Sequence, residues 1–138
     1  MSDTKAKGTI LIVEDSAPNR KILAHLIEKL GFAVIACEDG EEAWKILSAG
    51  KLQNLEAVIS DLMMPKMDGL QLLKNVRDSQ ELKNLPFLLV TAVSDKNYIV
   101  QAKDLHVTGY VLKPLTFQRV SEKLQEIFPD KQLPKIAV

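Results

Sequence analysis

The chain has 138 residues, 46% of them hydrophobic, and its 18 Lys plus Arg are balanced by 18 Asp plus Glu. That length holds one domain with a real core and is too short for two ordinary ones, and a net charge of zero argues against broad nucleic-acid or membrane-surface binding, which needs a basic excess. The one cysteine, Cys37, excludes an internal disulfide and a cysteine-based zinc site and fits a reducing, cytoplasmic setting.

The N-terminal MSDTKAKG is polar and has no apolar core, so residues 1–8 read as a flexible N-terminus and not as a signal peptide. No apolar run approaches the roughly 20 residues that span a bilayer. TILIV (9–13) is a β-branched apolar run and reads as the first strand. After it Ser16 can cap a helix, Pro18 suits the first turn, and Ile22, Leu23, Leu26, Ile27 and Leu30 recur at helical spacing until Gly31. FAVIA (32–36) is the second strand. Asp39 and Glu42 are spaced as a capping box for a helix with Ala43, Trp44, Ile46 and Leu47, which Gly50 ends. EAVIS (56–60) is the third strand. The Asp68-Gly69 pair reads as a structural turn that caps the helix carrying Leu70, Leu72, Leu73 and Val76. PFLLV (86–90) is the fourth strand, followed by a helix from a Ser94 cap to about Leu105. GYVL (109–112) is the fifth, and Thr116 can cap a last helix with Val120, Leu124 and Ile127. The domain spans 9–128, and 129–138 reads as a loosely ordered tail.

Strands alternating with helices predict an α/β fold, a five-stranded parallel sheet with helices on both faces. The near-continuous apolar strands fit a sheet covered on both sides. Polar residues interrupt this pattern at one recurring place, the C-terminal ends of strands. Strand one ends in Glu14-Asp15, strand three in Asp61, strand four in Thr91 and strand five in Lys113-Pro114. In an open parallel sheet these ends share one edge, where ligands bind. Three carboxylates in one crevice repel each other unless some are protonated or a cation sits among them. All-oxygen ligands with no His or Cys nearby favour Mg²⁺ over zinc or copper. A metal, a lysine and a hydroxyl together stabilise the oxygens of a transferring phosphoryl group, and an aspartate can attack it to give an acyl phosphate.

The set VEDS, SDLMMPKMDG, VTA and YVLKPL, in this order and spacing, resembles the receiver domain of two-component response regulators over about residues 8 to 128. Within that family the chain is most similar to the stand-alone chemotaxis regulators, through GYVLKPL and EKLQEIF. The resemblance implies a flavodoxin-like (βα)5 fold with strand order 2-1-3-4-5. It makes Asp61 the phosphoacceptor, Asp15 a direct Mg²⁺ ligand and Glu14 a ligand mostly through water. Asp61 and the Met63 backbone carbonyl complete the metal set. Thr91 becomes the switch hydroxyl, Lys113 the charge clamp and Tyr110 the aromatic residue that follows Thr91. A cis Lys113-Pro114 bond is also implied.

Other features read as structural. Met63, Met64 and Met67 pack the loop, His25 lacks the surroundings of a phosphorylation site, and His106 is exposed beside a turn. The phosphoryl donor is therefore another molecule, with a sensor histidine kinase implied. Two positions depart from the resemblance: Glu14 stands where many members have Asp, and Met63 where the chemotaxis regulators have a polar side chain. Met63 and Val93 flank the path of the hydrolytic water and cannot orient it by hydrogen bonds, so the acyl phosphate is expected to be long-lived unless a phosphatase acts. Output is expected through a partner protein on the face of the fourth helix, fifth strand and fifth helix, with Lys96, Tyr98, Ile99, Lys123 and Glu126 as candidate outward residues and packing against the domain's own core as the alternative. The expectation is a monomeric cytoplasmic switch without an output domain, which catalyses only its own phosphorylation and dephosphorylation. A relay intermediate and a phosphate-independent adaptor are the alternatives. An aspartate-nucleophile phosphatase needs a second Asp two residues on, and that position is Met63.

Overall fold

The computed structural model describes residues 8–92 and 96–134. The elements are β1 (Thr9–Val13), α1 (Ala17–Lys29), β2 (Ala33–Cys37), α2 (Gly40–Ser48), β3 (Leu55–Asp61), α3 (Gly69–Asp78), β4 (Phe87–Thr91), α4 (Lys96–Asp104), β5 (Gly109–Leu112) and α5 (Phe117–Ile127). The strands form one sheet in the order β2-β1-β3-β4-β5, all neighbours parallel. This is the flavodoxin-like arrangement expected from the sequence.

Alternate residues of each strand feed two separate cores. Ile10, Ile12, Ile59, Leu88, Val90 and Val111 pack with Leu23 and Ile27 of α1 and Val120 and Leu124 of α5. Leu11, Val13, Val58, Phe87 and Leu89 pack on the other face with Ala43 and Leu47 of α2, Leu72 and Leu73 of α3, and Ala102 of α4. With both faces covered, the middles of the strands are apolar, and the polar residues Ser60, Asp61 and Thr91 fall at the C-terminal ends of β3 and β4.

Local chemistry starts and stops the helices largely as expected. Ser16 Oγ accepts from the Asn19 N–H at 3.4 Å, and Thr116 Oγ1 accepts from Arg119 N–H at 3.1 Å. Asp68 and Gln71 close a full capping box on α3. At α2, Asp39 accepts from Glu42 N–H, but Glu42 reaches one residue further back, to the Glu38 N–H at 2.7 Å. Strand limits shift by one residue. Phe32 belongs to the end of the first helical unit, its N–H bonded to Ile27 O, so β2 starts later. Pro86 has no N–H to give, and β4 starts at Phe87. The expected Ser94 cap lies outside the described residues.

The stretch after Pro129, expected to be loose, is held as far as Leu133. Gln125 Nε2 donates to the Phe128 and Lys131 carbonyls at 3.0 and 2.7 Å, and Gln125 Oε1 accepts from Leu133 N–H at 3.4 Å. Leu133 is buried in the core that contains Leu30, Phe32 and Leu124. The burial of one leucine and the carbonyl demand of a helix end together outweigh the local polarity of DKQLP. Leu133→Ala is expected to lower unfolding free energy by about 2 kcal/mol, measured by urea titration. A loss near zero would mean that the segment is not packed.

Candidate functional site

The C-terminal edge of the sheet is built from backbone bonds first. Glu14 N–H donates to Cys37 O at 3.1 Å, Leu62 N–H to Val90 O at 3.1 Å, and Lys113 N–H to Thr91 O at 2.9 Å. These bonds continue the ladders one residue past β1, β3 and β5. They bring Glu14, Asp61, Thr91 and Lys113 together from four separate strand ends. Asp15, the next residue after Glu14, is exposed at the rim.

One carboxylate oxygen from each of Glu14, Asp15 and Asp61 lies within 4.8 Å of the others. Asp61 is the last residue of β3, and its side chain is only 7% exposed. Its Oδ1 accepts from Leu62 N–H at 3.0 Å and lies 3.1 Å from Lys113 Nζ. Both contacts fall on the same oxygen. Thr91, at the end of β4, is buried, and its hydroxyl donates to Ala92 O at 3.1 Å. The cleft beside this cluster measures ≈ 500 Å³ and is lined by Glu14, Asn19, Ile22, Lys113, Pro114 and Leu115.

The acidic cluster is electrostatically unfinished. Burial pushes the Glu14 carboxyl up to about 7, and the nearby Asp61 and Asp15 add to the rise. The Ser16 N–H, at 3.0 Å from Glu14 Oε2, and the Lys113 ammonium oppose it. One lysine does not neutralise three carboxylates. A set of convergent carboxylate oxygens with no nitrogen or sulfur donor fits a hard, oxygen-loving cation.

Two arginines that the sequence reading did not single out fix the loops of this site. Arg20 Nη1 donates to Glu14 O at 2.9 Å. Arg119 Nη1 donates to Leu112 O at 3.3 Å and Pro114 O at 3.1 Å, on either side of Lys113. The Lys113-Pro114 peptide is cis. Gly69 holds the third loop close: a Cβ there would lie 2.5 Å from the Asp61 carbonyl oxygen.

Several expected placements differ. Met63 does not pack the loop. It is 54% exposed, because Leu62 takes the buried position, while Met64 and Met67 do pack on the α2–α3 core. Tyr98 packs on that same core and is not an outward anchor. Ile99 is half-buried, and its carbonyl accepts from Tyr110 Oη–H at 3.2 Å. The exposed apolar residues of α4 and β5 are Val100 and Leu112. Lys96 and Glu126 are exposed, and half-buried Lys123 pairs with Glu126 at 3.3 Å. Cys37 is buried at the end of β2, and Val93 lies outside the described residues. No helix among the described residues is long and apolar enough to cross a membrane.

Because folding raises the Glu14 carboxyl from 4.5 to about 7, the folded state binds a proton that the unfolded state has lost between those values. That contribution to stability is complete below 4.5 and disappears as pH rises through 7. Chelator-treated protein is therefore expected to lose stability to urea as pH rises from 4.5 to about 7, and Glu14→Gln to lose less. Equal slopes in the two proteins would contradict this.

Comparison with known proteins agrees with this geometry. The family model of the response regulator receiver domain matches residues 10–125. The chemotaxis protein CheY of Pseudomonas aeruginosa is 41% identical over 120 residues, which cover 86% of this chain and 94% of that one. The solved structure of the chemotaxis protein CheY4 of Vibrio cholerae superposes with a TM-score of 0.80 at 28% identity, over 88% of this chain and 99% of that one. The receiver domain of a sensor histidine kinase from Pseudomonas aeruginosa, solved with a magnesium ion coordinated in its active-site cleft, gives a TM-score of 0.76 at 25% identity. It covers 88% of this chain and 97% of that one.

Proposed function

The chain belongs to the response regulator receiver domain family, and from that premise we propose that it is a phosphoryl-accepting switch with Asp61 as acceptor, Mg²⁺ as cofactor and a histidine kinase as donor. The observation that carries this is the Asp61 carboxylate, buried at a strand end, ion-paired to Lys113 at 3.1 Å and clustered with Glu14 and Asp15.

Asp15, Asp61 and the Met63 carbonyl would hold Mg²⁺, with Glu14 acting through a bound water. Bound there, the cation would supply charge neutralisation for the phosphoryl oxygens and offset the carboxylate repulsion that adds to the burial-driven rise at Glu14. Lys113 and the Leu62 N–H occupy Oδ1, so Oδ2 is the oxygen left to attack phosphorus. An O–P bond forms on Asp61, and the P–N bond to the donor imidazole breaks, its electron pair staying with the imidazole. Lys113 then follows the new negative charge onto the phosphoryl oxygens. Thr91 turns its hydroxyl from the Ala92 carbonyl toward a phosphoryl oxygen. The room it leaves is taken by Tyr110, which gives up its bond to Ile99 O on α4. That couples the site to the α4–β5–α5 face, where Val100 and Leu112 offer apolar contact to a partner protein.

The kinship to CheY proteins favours a chemotaxis or motility target, in the cytoplasm and with the switch working as a monomer over 9–128. The likeness to a receiver domain of a sensor histidine kinase favours the second reading, a relay intermediate passing phosphate to a histidine protein. The chain acts on no other substrate in either reading.

Intact mass after incubation with acetyl phosphate and Mg²⁺ is expected to rise by one phosphoryl group in the wild type and not in Asp61→Asn. A folded wild type that gains nothing would move the function to a phosphate-independent adaptor. Met63 is exposed beside the acceptor and cannot orient water, so Met63→Asn is expected to shorten the acyl-phosphate lifetime several-fold after donor removal. An unchanged lifetime would show that this position does not limit hydrolysis.

A further inference from the structure

The Asp39-Gly40 pair that opens α2 takes no part in the reading above, yet it touches the loop that carries Met63. Gly40 is buried, and a Cβ built on it would lie 2.3 Å from the Met67 carbonyl oxygen, 2.9 Å from Met67 Cβ and 3.0 Å from Met67 C. Its φ lies outside the left-handed region, so the glycine is needed for space and not for backbone freedom. Met67 is packed in turn: its Sδ accepts from Asn75 Nδ2 at 3.5 Å, and it joins the core between α2 and α3. Lys66 Nζ bridges the same seam to Asp39 Oδ2 at 3.7 Å.

We propose that Gly40 is a positioning residue for the metal site: its missing side chain lets α2 press on the backbone of Met67, which sets how deep the β3–α3 loop and the Met63 carbonyl sit over Asp61. This rests on the Mg²⁺ reading given above. The loop from Leu62 to Gly69 has little slack. At its far end Gly69 N–H donates to Leu62 O at 2.9 Å, and Gly69 lies against the Asp61 carbonyl. A Cβ at position 40 would meet peptide backbone, with no flexible side-chain end to push aside. The helix is fixed by Ala43 and Leu47, both buried, so the loop must yield. Mg²⁺ demands near-ideal octahedral geometry at roughly 2.0–2.1 Å, so a carbonyl moved by a few tenths of an ångström is a poor ligand.

A purely structural glycine would cost stability alone. Gly50 supplies the control, at the other end of the same helix: it has φ 69 and nothing within 4 Å of an added Cβ. Gly50→Ala therefore strains the backbone without touching the loop. Calorimetric titration with Mg²⁺ is expected to show binding at least about tenfold weaker in Gly40→Ala and unchanged in Gly50→Ala. Wild-type affinity in Gly40→Ala, or the same loss in Gly50→Ala, would overturn the inference. A second measurement needs no variant and holds even if Gly40→Ala does not fold. Coupling is reciprocal, so Mg²⁺ added to wild-type protein should slow amide hydrogen exchange at Glu42 and Ala43 and leave Ala49 and Gly50 unchanged. No slowing at Glu42 and Ala43 would overturn it. A wild type that binds no Mg²⁺ would instead overturn the metal reading, and this inference with it.

Discussion

A carboxylate on the last residue of a buried strand is the constraint on which this structure depends. Asp61 has little contact with water, stands beside two more carboxylates, and has one ammonium, Lys113, to offset it. Burial without compensation is costly for a charge. Burial, with the neighbouring Asp61 and Asp15 adding to it, pushes the Glu14 carboxyl up to about 7. In the proposed reading a divalent cation would offset the excess charge, and a phosphoryl group brought in with it would meet the Asp61 carboxylate already in place.

The fold holds this arrangement through backbone contacts more than through side-chain packing. Parallel pairing puts four strand ends on one edge, and single ladder bonds carry Glu14 and Lys113 one step beyond it. Arg20 and Arg119 then tie the first and fifth loops by their carbonyls. Among the described residues, no arginine bonds to the third loop in this way. That loop is held by close approach, with Gly69 against the Asp61 carbonyl and Gly40 against Met67. Each of the three loops thus meets the site at a fixed depth, which a short-range, geometry-sensitive reaction requires.

The elements, and the convergence of polar residues at one edge of the sheet, are legible in the sequence because the same physics produces both signals. The middles of strands covered on two faces are apolar, so Glu14, Asp61, Thr91 and Lys113 stand out against the runs that precede them. What was not legible depends on contacts across the fold. Met63 and Met64 are the same residue type side by side, and only the turn after Leu62 decides that the first is exposed and the second packed. Tyr98 and Val100 lie two positions apart on α4, hence on opposite sides of the helix. With adjacent apolar residues at Tyr98, Ile99 and Val100, the rotation of that helix is not legible in the sequence, and only the fold decides that Tyr98 packs inward and Val100 faces out. Leu133 follows only polar residues after Pro129, so its packing is not legible locally; the glutamine that clamps it lies eight residues earlier. Arg77 is similar. It donates to the carbonyls of Lys83, Leu85 and His106, uniting two loops at the opposite edge, and no local pattern announces that role.

The most direct test of this account is a crystal structure of the chain grown with Mg²⁺ and beryllofluoride, which mimics an acyl phosphate. The account expects one Mg²⁺ held by Asp15, Asp61 and the Met63 carbonyl, and beryllofluoride on Asp61. It also expects Lys113 and Thr91 at the fluorines, and Tyr110 no longer bonded to Ile99. Beryllofluoride bound elsewhere, or an empty crevice at saturating Mg²⁺, would contradict it.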